Sequence, residues 1–333
     1  MKARSYVILG GNGVFGIHNA LWLLKNANPK KVICVGRNPE KPEPFTLNVG
    51  RDDPRYAYHQ IHVVFEHDRL MELLDAERPD IIINYAAIAE PALSFKRTAR
   101  YYDTNVTAVA RLCEDVMART YLERFIHIGT SELYGSVDSP AREDAPLKPT
   151  SPYAVSKAAG DLHLIAIHNT LKFPMNIIRP SNAYAPGQLL YRIMPKAVIC
   201  GLTGHKLPLE GGGKARKSYV HARDIAEAIG RVIDKAPFGK TYNVGPVGEP
   251  ISIRELVTKI AAAMGLTLEQ ICEEAPDRLG RDSQYWLDSS AIENDVGWRQ
   301  TITLEQGIDE MVAWGRRYYD FLKDYSKEYT WRA

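Results

Sequence analysis

The sequence predicts an α/β protein built on a doubly wound parallel sheet, with a second, smaller lobe set against it. Three features point there: short runs that are apolar throughout alternate with amphipathic helical stretches, a glycine cluster follows the first run directly, and the rhythm changes after Arg179-Pro180. Strands that are apolar on both faces and separated by helices belong in a parallel sheet covered on both sides. Residues 6–9 form the first apolar run, and residues 17–25 carry apolar side chains at helical spacing. Strand-like runs follow at 32–35, 80–84 (DIIIN) and 125–128, with helices at 106–117 and 153–168. Residues 38–54, with four prolines and mixed charges, read as a long surface loop after the second strand. Beyond Pro180 glycine becomes denser (Gly201, Gly204, Gly211, Gly212, Gly213), and a helix at 224–234, a strand at 241–244 and helices at 253–264 and 304–319 are expected. The cleft between sheet and lobe is the expected place for a small-molecule site.

Composition narrows the function. The 333 residues make about two domains at ~150 residues each. With 45% hydrophobic and 25% charged residues the chain is globular rather than disordered. Lys plus Arg is 42 against 40 for Asp plus Glu, a net charge of +2 with no basic excess of the kind nucleic-acid binders gather. Apolar stretches fall far short of the ~20 residues that cross a bilayer, and the first one stops at glycine, so neither a membrane span nor a secretory signal is expected. Cys34, Cys113, Cys200 and Cys272 lack CxxC spacing, which fits reduced thiols in a cytoplasmic protein and no metal site.

Gly10-Gly11-Asn12-Gly13-Val14-Phe15-Gly16 reads as GxxGxxG from Gly10 or as GxGxxG from Gly11. It ends a strand and opens a helix, the context of a dinucleotide-binding loop of Rossmann type. Glycines let backbone amides approach a pyrophosphate, and the helix N-terminus adds unpaired N–H groups and partial positive charge. An acid at the end of the second strand would hold a ribose 2′-hydroxyl, but the chain has Gly36-Arg37-Asn38 there. A small residue followed by a guanidinium leaves room and charge for a 2′-phosphate, so NADP is expected, with NAD the alternative.

Tyr153-Ala154-Val155-Ser156-Lys157 places a phenol and an ammonium at i and i+4 on one helix face. A positive neighbour stabilises phenolate, so the tyrosine can exchange a proton with a substrate hydroxyl. Tyr319 and Lys323 repeat the spacing and are expected on a solvated face. What separates Tyr153 is Gly129-Thr130-Ser131-Glu132 at the C-terminal end of a strand, where open α/β sheets bind ligands. Thr130 is placed to share the hydrogen bond to the substrate oxygen.

These residues resemble the extended short-chain dehydrogenase/reductase family, and within it the nucleotide-sugar 4,6-dehydratases. The resemblance spans nearly the whole chain: Asn84-Tyr85-Ala86-Ala87, GTSELYG (129–135), SPYAVSK (151–157), RPSNAYAP (179–186), KSYVHARD (217–224) and DRLGRDSQYWLD (277–288). TSELYG is most like the GDP-mannose group, whereas RPSNAYAP and DRLGRDSQYWLD are more like the dTDP-glucose group. The resemblance implies that residues 1–180 and 219–246 bind the dinucleotide and that 181–218 and 247–333 form the nucleotide-sugar lobe. It also implies cofactor contacts from Gly10, Gly13, Val14, Phe15, Gly16, Arg37, Asn38, Ala86, Ala87, Asn105, Tyr153 and Lys157.

By the same resemblance, Tyr153 takes the proton of the sugar 4-hydroxyl while hydride leaves carbon 4 for the nicotinamide. The ketone acidifies carbon 5, Glu132 removes that proton, water leaves carbon 6, and the hydride returns there. Ser131 stands where the dTDP-glucose group has an aspartic acid, so Glu132 or a water must protonate the departing hydroxyl. Asn182, Arg192, Lys217 and Arg278 match positions that hold the diphosphate. Lys217 replaces an arginine, with Arg216 the alternative after a one-residue slip, and Arg281 stands where the pattern has histidine. Ala89-Glu90 occupies the place of a Ser-His pair, so Glu90 is expected beside the hexose, where it implies altered hydroxyl recognition or an unusual sugar. Val63-Val64 replaces the acid expected to meet the adenine at the end of strand three.

The competing activities are a 4-epimerase or another oxidoreductase or decarboxylase of the same fold, and a catalytically silent nucleotide-binding protein. The Glu132 triplet with DRLGRD favours dehydration over epimerisation, and the set Thr130, Tyr153 and Lys157 speaks against silence. The helices at 106–117 and 153–168 correspond to those that form a homodimer interface in the family, and ordinary packing on the chain's own sheet explains their apolar residues equally well.

Overall fold

A computed structural model describes residues 3–276 and 283–329. Seven strands, β1 (Ser5–Leu9), β2 (Lys31–Gly36), β3 (Tyr56–Gln60), β4 (Ile81–Asn84), β5 (Arg124–Ile128), β6 (Met175–Pro180) and β7 (Thr241–Val244), form one sheet. Their order is β7-β6-β5-β4-β1-β2-β3, and every neighbouring pair is parallel. Alternation within β1 divides the core. Tyr6 and Ile8 join the cluster with α1 (Val14–Asn26) and α6 (Ala222–Lys235). Val7 and Leu9 face α2 (His67–Glu77), α3 (Ala108–Met117) and α4 (Pro152–Leu171) on the other side. The strand order reverses direction between β1 and β4, which opens a crevice at their C-terminal ends. Leu9 pairs with Asn84, so the glycine loop and the turn after β4 leave the sheet side by side.

A further core gathers α5 (Ile193–Thr203), α7 (Ile253–Ala263) and α8 (Leu304–Arg317), with the strand Leu207–Glu210 paired parallel to Cys272–Ala275. Phe45 belongs to this core although it lies far upstream in sequence. The segment at 38–54 is therefore more than a surface loop. It folds into a short helix, Glu43–Thr46, whose fully buried Phe45 packs on Trp314, Phe321 and Tyr325. Trp314 Nε1 donates to Pro44 O at 2.8 Å, which ties the loop to the C-terminal helix.

Two differences from the sequence reading bear on the site. The helix expected at 106–117 begins earlier: Thr98–Tyr102 is helical, a π-helical turn spans Asp103–Thr107, and regular helix resumes at Ala108. The third strand ends at Gln60, so Val63-Val64 lies past its end, and Ile61 and His62 are the first residues to leave the sheet toward the cleft.

Candidate active site

A cleft of about 750 Å³ opens at the crevice, lined among others by Gly10, Gly13, Arg37, Asn38, Ala86 and Ala87. The glycine loop shapes its floor. Gly10 has φ +78°, and a Cβ there would meet Ala86 N at 2.8 Å; at Gly16 it would meet Gly10 O at 2.7 Å. Side chains at these positions would push the loop from the strand or from β4's turn. Gly13 is the N-cap of α1 and gives no side-chain cap, so the first amides of the helix, those of Val14 and Phe15 among them, keep their hydrogen-bonding capacity for an anion. These residues fit a nicotinamide dinucleotide.

At the end of β2, a Cβ on Gly36 would meet the Tyr58 hydroxyl at 2.7 Å and Asn12 Cβ at 2.9 Å, so a side chain there would have to displace them. Arg37 is part-exposed and has no carboxylate within ion-pair distance among the described residues. Asn38 serves through its carbonyl, which accepts from Asn12 Nδ2 at 3.4 Å and from the Tyr58 hydroxyl.

The turn after β4 is pinned from below. Asn105 is fully buried: its Oδ1 accepts from Ile88 N at 3.0 Å, and its Nδ2 donates to Ile88 O at 3.2 Å and Ser156 Oγ at 2.9 Å. Its amide is thus spent inside the protein, and Asn105 enters the site through the turn it holds.

Local capping sets the candidate reacting side chains. Ser151 accepts from Ala154 N at 3.1 Å and Pro152 takes the first helical position, so α4 starts just ahead of Tyr153. Lys157 follows one turn later on the same face. Opposite, Thr130 caps the short turn Ser131–Tyr134 by accepting from Glu132 N at 3.2 Å. Thr130, Ser131, Tyr153 and Lys157 are all buried, whereas Glu132 is half-buried. Tyr153 is hydrogen-bonded to Thr130, and the charges of Glu132 and Arg192 both reach its hydroxyl. Burial pushes the phenol up, Glu132 acts in the same direction, and the Thr130 hydrogen bond and Arg192 oppose them. Lys157 donates to Ile128 O at 2.6 Å, and burial brings it down to about 8. In contrast, the repeated pair near the C-terminus sits on the surface, where Lys323 bonds Asp320 at 2.9 Å.

The outer residues are less convergent. Arg192 donates to Ala89 O at 2.9 Å, and its Nη1 lies 3.9 Å from Glu90 Oε2, so the unusual acid faces this arginine. Asn182 Oδ1 is buried with no hydrogen-bond partner among the described residues. Lys217 is buried with Nζ 3.4 Å above the Tyr285 ring centre. Arg216 turns to Glu249 and Glu255, so the one-residue slip does not bring it beside Lys217. Arg278 and Arg281 lie outside the described residues.

Several neighbours went unread in the sequence. The Tyr101 hydroxyl donates to Glu90 O at 2.5 Å, and its ring meets Tyr153 edge to face. His127, Asp161 and Arg179 form a buried cluster under Lys157. A polar residue in a strand of fully buried side chains was the available signal for His127. Tyr325 and Tyr329, from the C-terminal segment, line the cofactor cleft; nothing local announces this. Among the described residues no His, Cys, Asp or Glu group is arranged to hold a metal, and no helix is long and apolar enough to cross a membrane.

A phosphate-ready glycine loop beside a Thr-Tyr-Lys set at the strand ends defines a nicotinamide-dependent enzyme of the short-chain dehydrogenase/reductase class. Comparison with known proteins narrows this. Residues 7–311 match the family described as GDP-mannose 4,6 dehydratase. A dTDP-glucose 4,6-dehydratase of Xanthomonas campestris pv. campestris is 33% identical over 260 residues, 73% of this chain and 74% of that protein. A crystal structure of a dTDP-glucose 4,6-dehydratase from Streptomyces venezuelae with NAD bound superposes with a TM-score of 0.87 at 29% identity, covering 95% of this chain and 98% of that one. A UDP-glucuronic acid 4-epimerase from Bacillus cereus has a TM-score of 0.85 over 95% of this chain and 100% of its own, but at 22% identity it attests the fold alone. The chain belongs to the GDP-mannose 4,6-dehydratase family of nucleotide-sugar dehydratases, enzymes that work with a nicotinamide cofactor.

Proposed function

We propose that the chain removes water from an NDP-hexose to give a 4-keto-6-deoxy sugar nucleotide. The observation that carries this reading is that Thr130 and Glu132 leave the end of β5 close to Tyr153 of α4, with the Glu132 charge acting on the phenol. A bound nicotinamide supplies a temporary store for the hydride of carbon 4, which is returned to carbon 6. Tyr153 holds the proton taken from the 4-hydroxyl, with Thr130 fixing the oxygen between them. Once carbon 4 is a ketone, the proton on carbon 5 is acidic enough for a carboxylate, and Glu132 is the proposed base. Ser131, buried beside it, is too weak an acid to protonate the leaving hydroxyl, so Glu132 or a water does so. Arg192, Lys217, Asn182 and Arg278 are the proposed diphosphate partners, and Glu90 restrains Arg192 at the hexose.

Incubation with GDP-, dTDP-, UDP- and CDP-hexoses, followed by mass analysis, tests the reading. Loss of one water supports it; an isomer of equal mass marks an epimerase, and unchanged sugars throughout overturn it. Glu132→Gln is expected to permit hydride removal and to accumulate reduced cofactor, and turnover at the wild-type rate would reassign the base.

Four finer readings accompany the activity. NADP is the proposed cofactor because Arg37 brings a cation to the cleft at the end of β2, where no acid stands, with the NAD of the bound relative as the competitor. A homodimer through α3 and α4 is supported by exposed Met117, Leu162 and Leu171 on that side. A cytoplasmic setting fits four cysteines that are all buried free thiols. The division into a dinucleotide part (1–180, 219–246) and a sugar-nucleotide part (181–218, 247–333) is supported by the separate core around α5, α7 and α8.

A further inference from the structure

The cleft continues past Arg37 to a turn that the chemistry above leaves unused. Along the sheet order β5-β4-β1-β2-β3, the candidate reacting groups follow β5, the glycine loop follows β1 and Arg37 follows β2. A dinucleotide with its pyrophosphate on the glycine loop and its nicotinamide toward Tyr153 therefore carries its adenine to the ends of β2 and β3. Ile61 N donates to Gly36 O at 3.0 Å, so the chain leaving β3 starts beside the Gly36-Arg37 step. Ile61, His62 and Val63 line the cleft there.

The His62 ring is held from two sides. Its Nδ1 accepts from Val64 N at 3.2 Å and from Phe65 N at 3.4 Å. The ring also packs on Phe65, with 4.5 Å between centroids and 33° between planes, and the Arg100 guanidinium lies over that phenyl ring. Two amides aimed at Nδ1 make that nitrogen the acceptor, so the hydrogen-bond network assigns the ring proton to Nε2. Nε2 has no hydrogen-bond partner among the described residues, and His62 is half-buried at the cleft. Burial and the nearby charge of Arg37 both hold the ring neutral. The end of β3 thus offers an N–H donor to the ligand that fills this part of the cleft.

No acid competes with it from β3 or the turn that follows. Residues 56–65 contain none, and Glu66 spends Oε2 on His62 N at 2.8 Å and Oε1 on Arg69. The acids that line the cleft, Glu40 and Glu328, come from other segments. Adenine carries both kinds of group on its edges: ring nitrogens that accept and an exocyclic amine that donates. An N–H donor pairs only with a ring nitrogen, whereas a carboxylate would take the amine.

We propose that His62 is a specificity-determining residue for the cofactor: its Nε2–H donates to the adenine, so β3 selects the base by an acceptor and leaves the amine unread. The proposal rests on the reading of the cleft as a dinucleotide site. Its test compares NAD with nicotinamide hypoxanthine dinucleotide, in which a carbonyl acceptor replaces the amine. Neither carries a 2′-phosphate, so their ratio is independent of the NADP reading.

The purified protein is equilibrated with an equimolar excess of both dinucleotides, and the bound pool is released by denaturation and quantified. His62→Asn and His62→Asp can each accept from the turn amides through one side-chain oxygen. They differ in what remains for the base: an amide donor in Asn, a carboxylate oxygen in Asp. The wild-type ratio should match that of His62→Asn within about threefold, whereas His62→Asp should shift it toward NAD by about tenfold, the scale of reading one base edge. A wild-type ratio closer to His62→Asp than to His62→Asn, or three equal ratios, overturns the proposal. A wild-type pool that holds neither dinucleotide sinks the dinucleotide reading and the proposal with it, while binding in the wrong ratio sinks the proposal alone.

Discussion

The inner wall and the outer rim of the cleft are built differently. On the inner wall, Thr130, Tyr153 and Lys157 sit on the end of β5 and the first turns of α4, and all are at most 8% exposed. Their positions follow from caps, pleat and helix pitch. On the rim, Arg37, Glu90 and Arg192 occupy a strand end, a turn and a helix N-cap, and each keeps contact with solvent. The contrast teaches where each task resides: proton transfer needs fixed geometry and low dielectric, while selection among ligands sits where a substitution disturbs little.

If that division holds, the largest effect belongs to the inner wall. Tyr153→Phe removes the proton acceptor and should lower kcat by about 10²–10⁴-fold, the usual worth of a positioned acid–base group, with KM for the sugar nucleotide little changed. Arg192→Ala should instead raise KM by roughly 10- to 100-fold, as expected for a hydrogen bond to a charged group worth about 1.5–3 kcal/mol. A greater loss in kcat than in KM would break the comparison and place Arg192 with the reacting groups. Arg37→Ala should weaken NADP by about tenfold, the scale of one charge-assisted contact, and leave NAD unmoved; equal effects on both would remove the 2′-phosphate reading.

The smallest effect lies in pH. Lys157 titrates at about 8 against 10.5 when unburied, so its ammonium and the support it gives Tyr153 are lost as pH rises through about 8. Stability moves the other way. Between those two values the unfolded chain binds the proton that the folded chain has released, so the Lys157 contribution to stability rises with pH. Steady-state rates and thermal melting over this range should therefore diverge, and a Tm that falls in step with kcat would assign the loss to unfolding.

Legibility in the sequence followed the same division. Gly10, Gly13 and Gly16, the Tyr153–Lys157 pair and the Thr130–Glu132 stretch were readable because each depends on local spacing beside a recognisable strand or helix. The segment at 38–54 reads as a surface loop in sequence because Phe45 finds its partners, Trp314, Phe321 and Tyr325, only across the fold. Asn105 was placed near the cofactor, but its role as the clamp of the Ile88 turn depends on Ser156 in another helix. His127 and Asp161 carry no local motif, and their meeting with Lys157 requires β5 and α4 to pack.

The sequence by itself determined the parallel sheet, the phosphate-ready loop and the proposed acid–base pair, because side-chain alternation, glycine sterics and helical pitch act over a few residues. Only the tertiary structure decided what surrounds that pair: the cluster of His127, Asp161 and Arg179 beneath it, Tyr101 beside it and the C-terminal tyrosines along the cofactor cleft. Burial and charge depend on distance through space, and the chain brings those groups together across separations that no local pattern encodes.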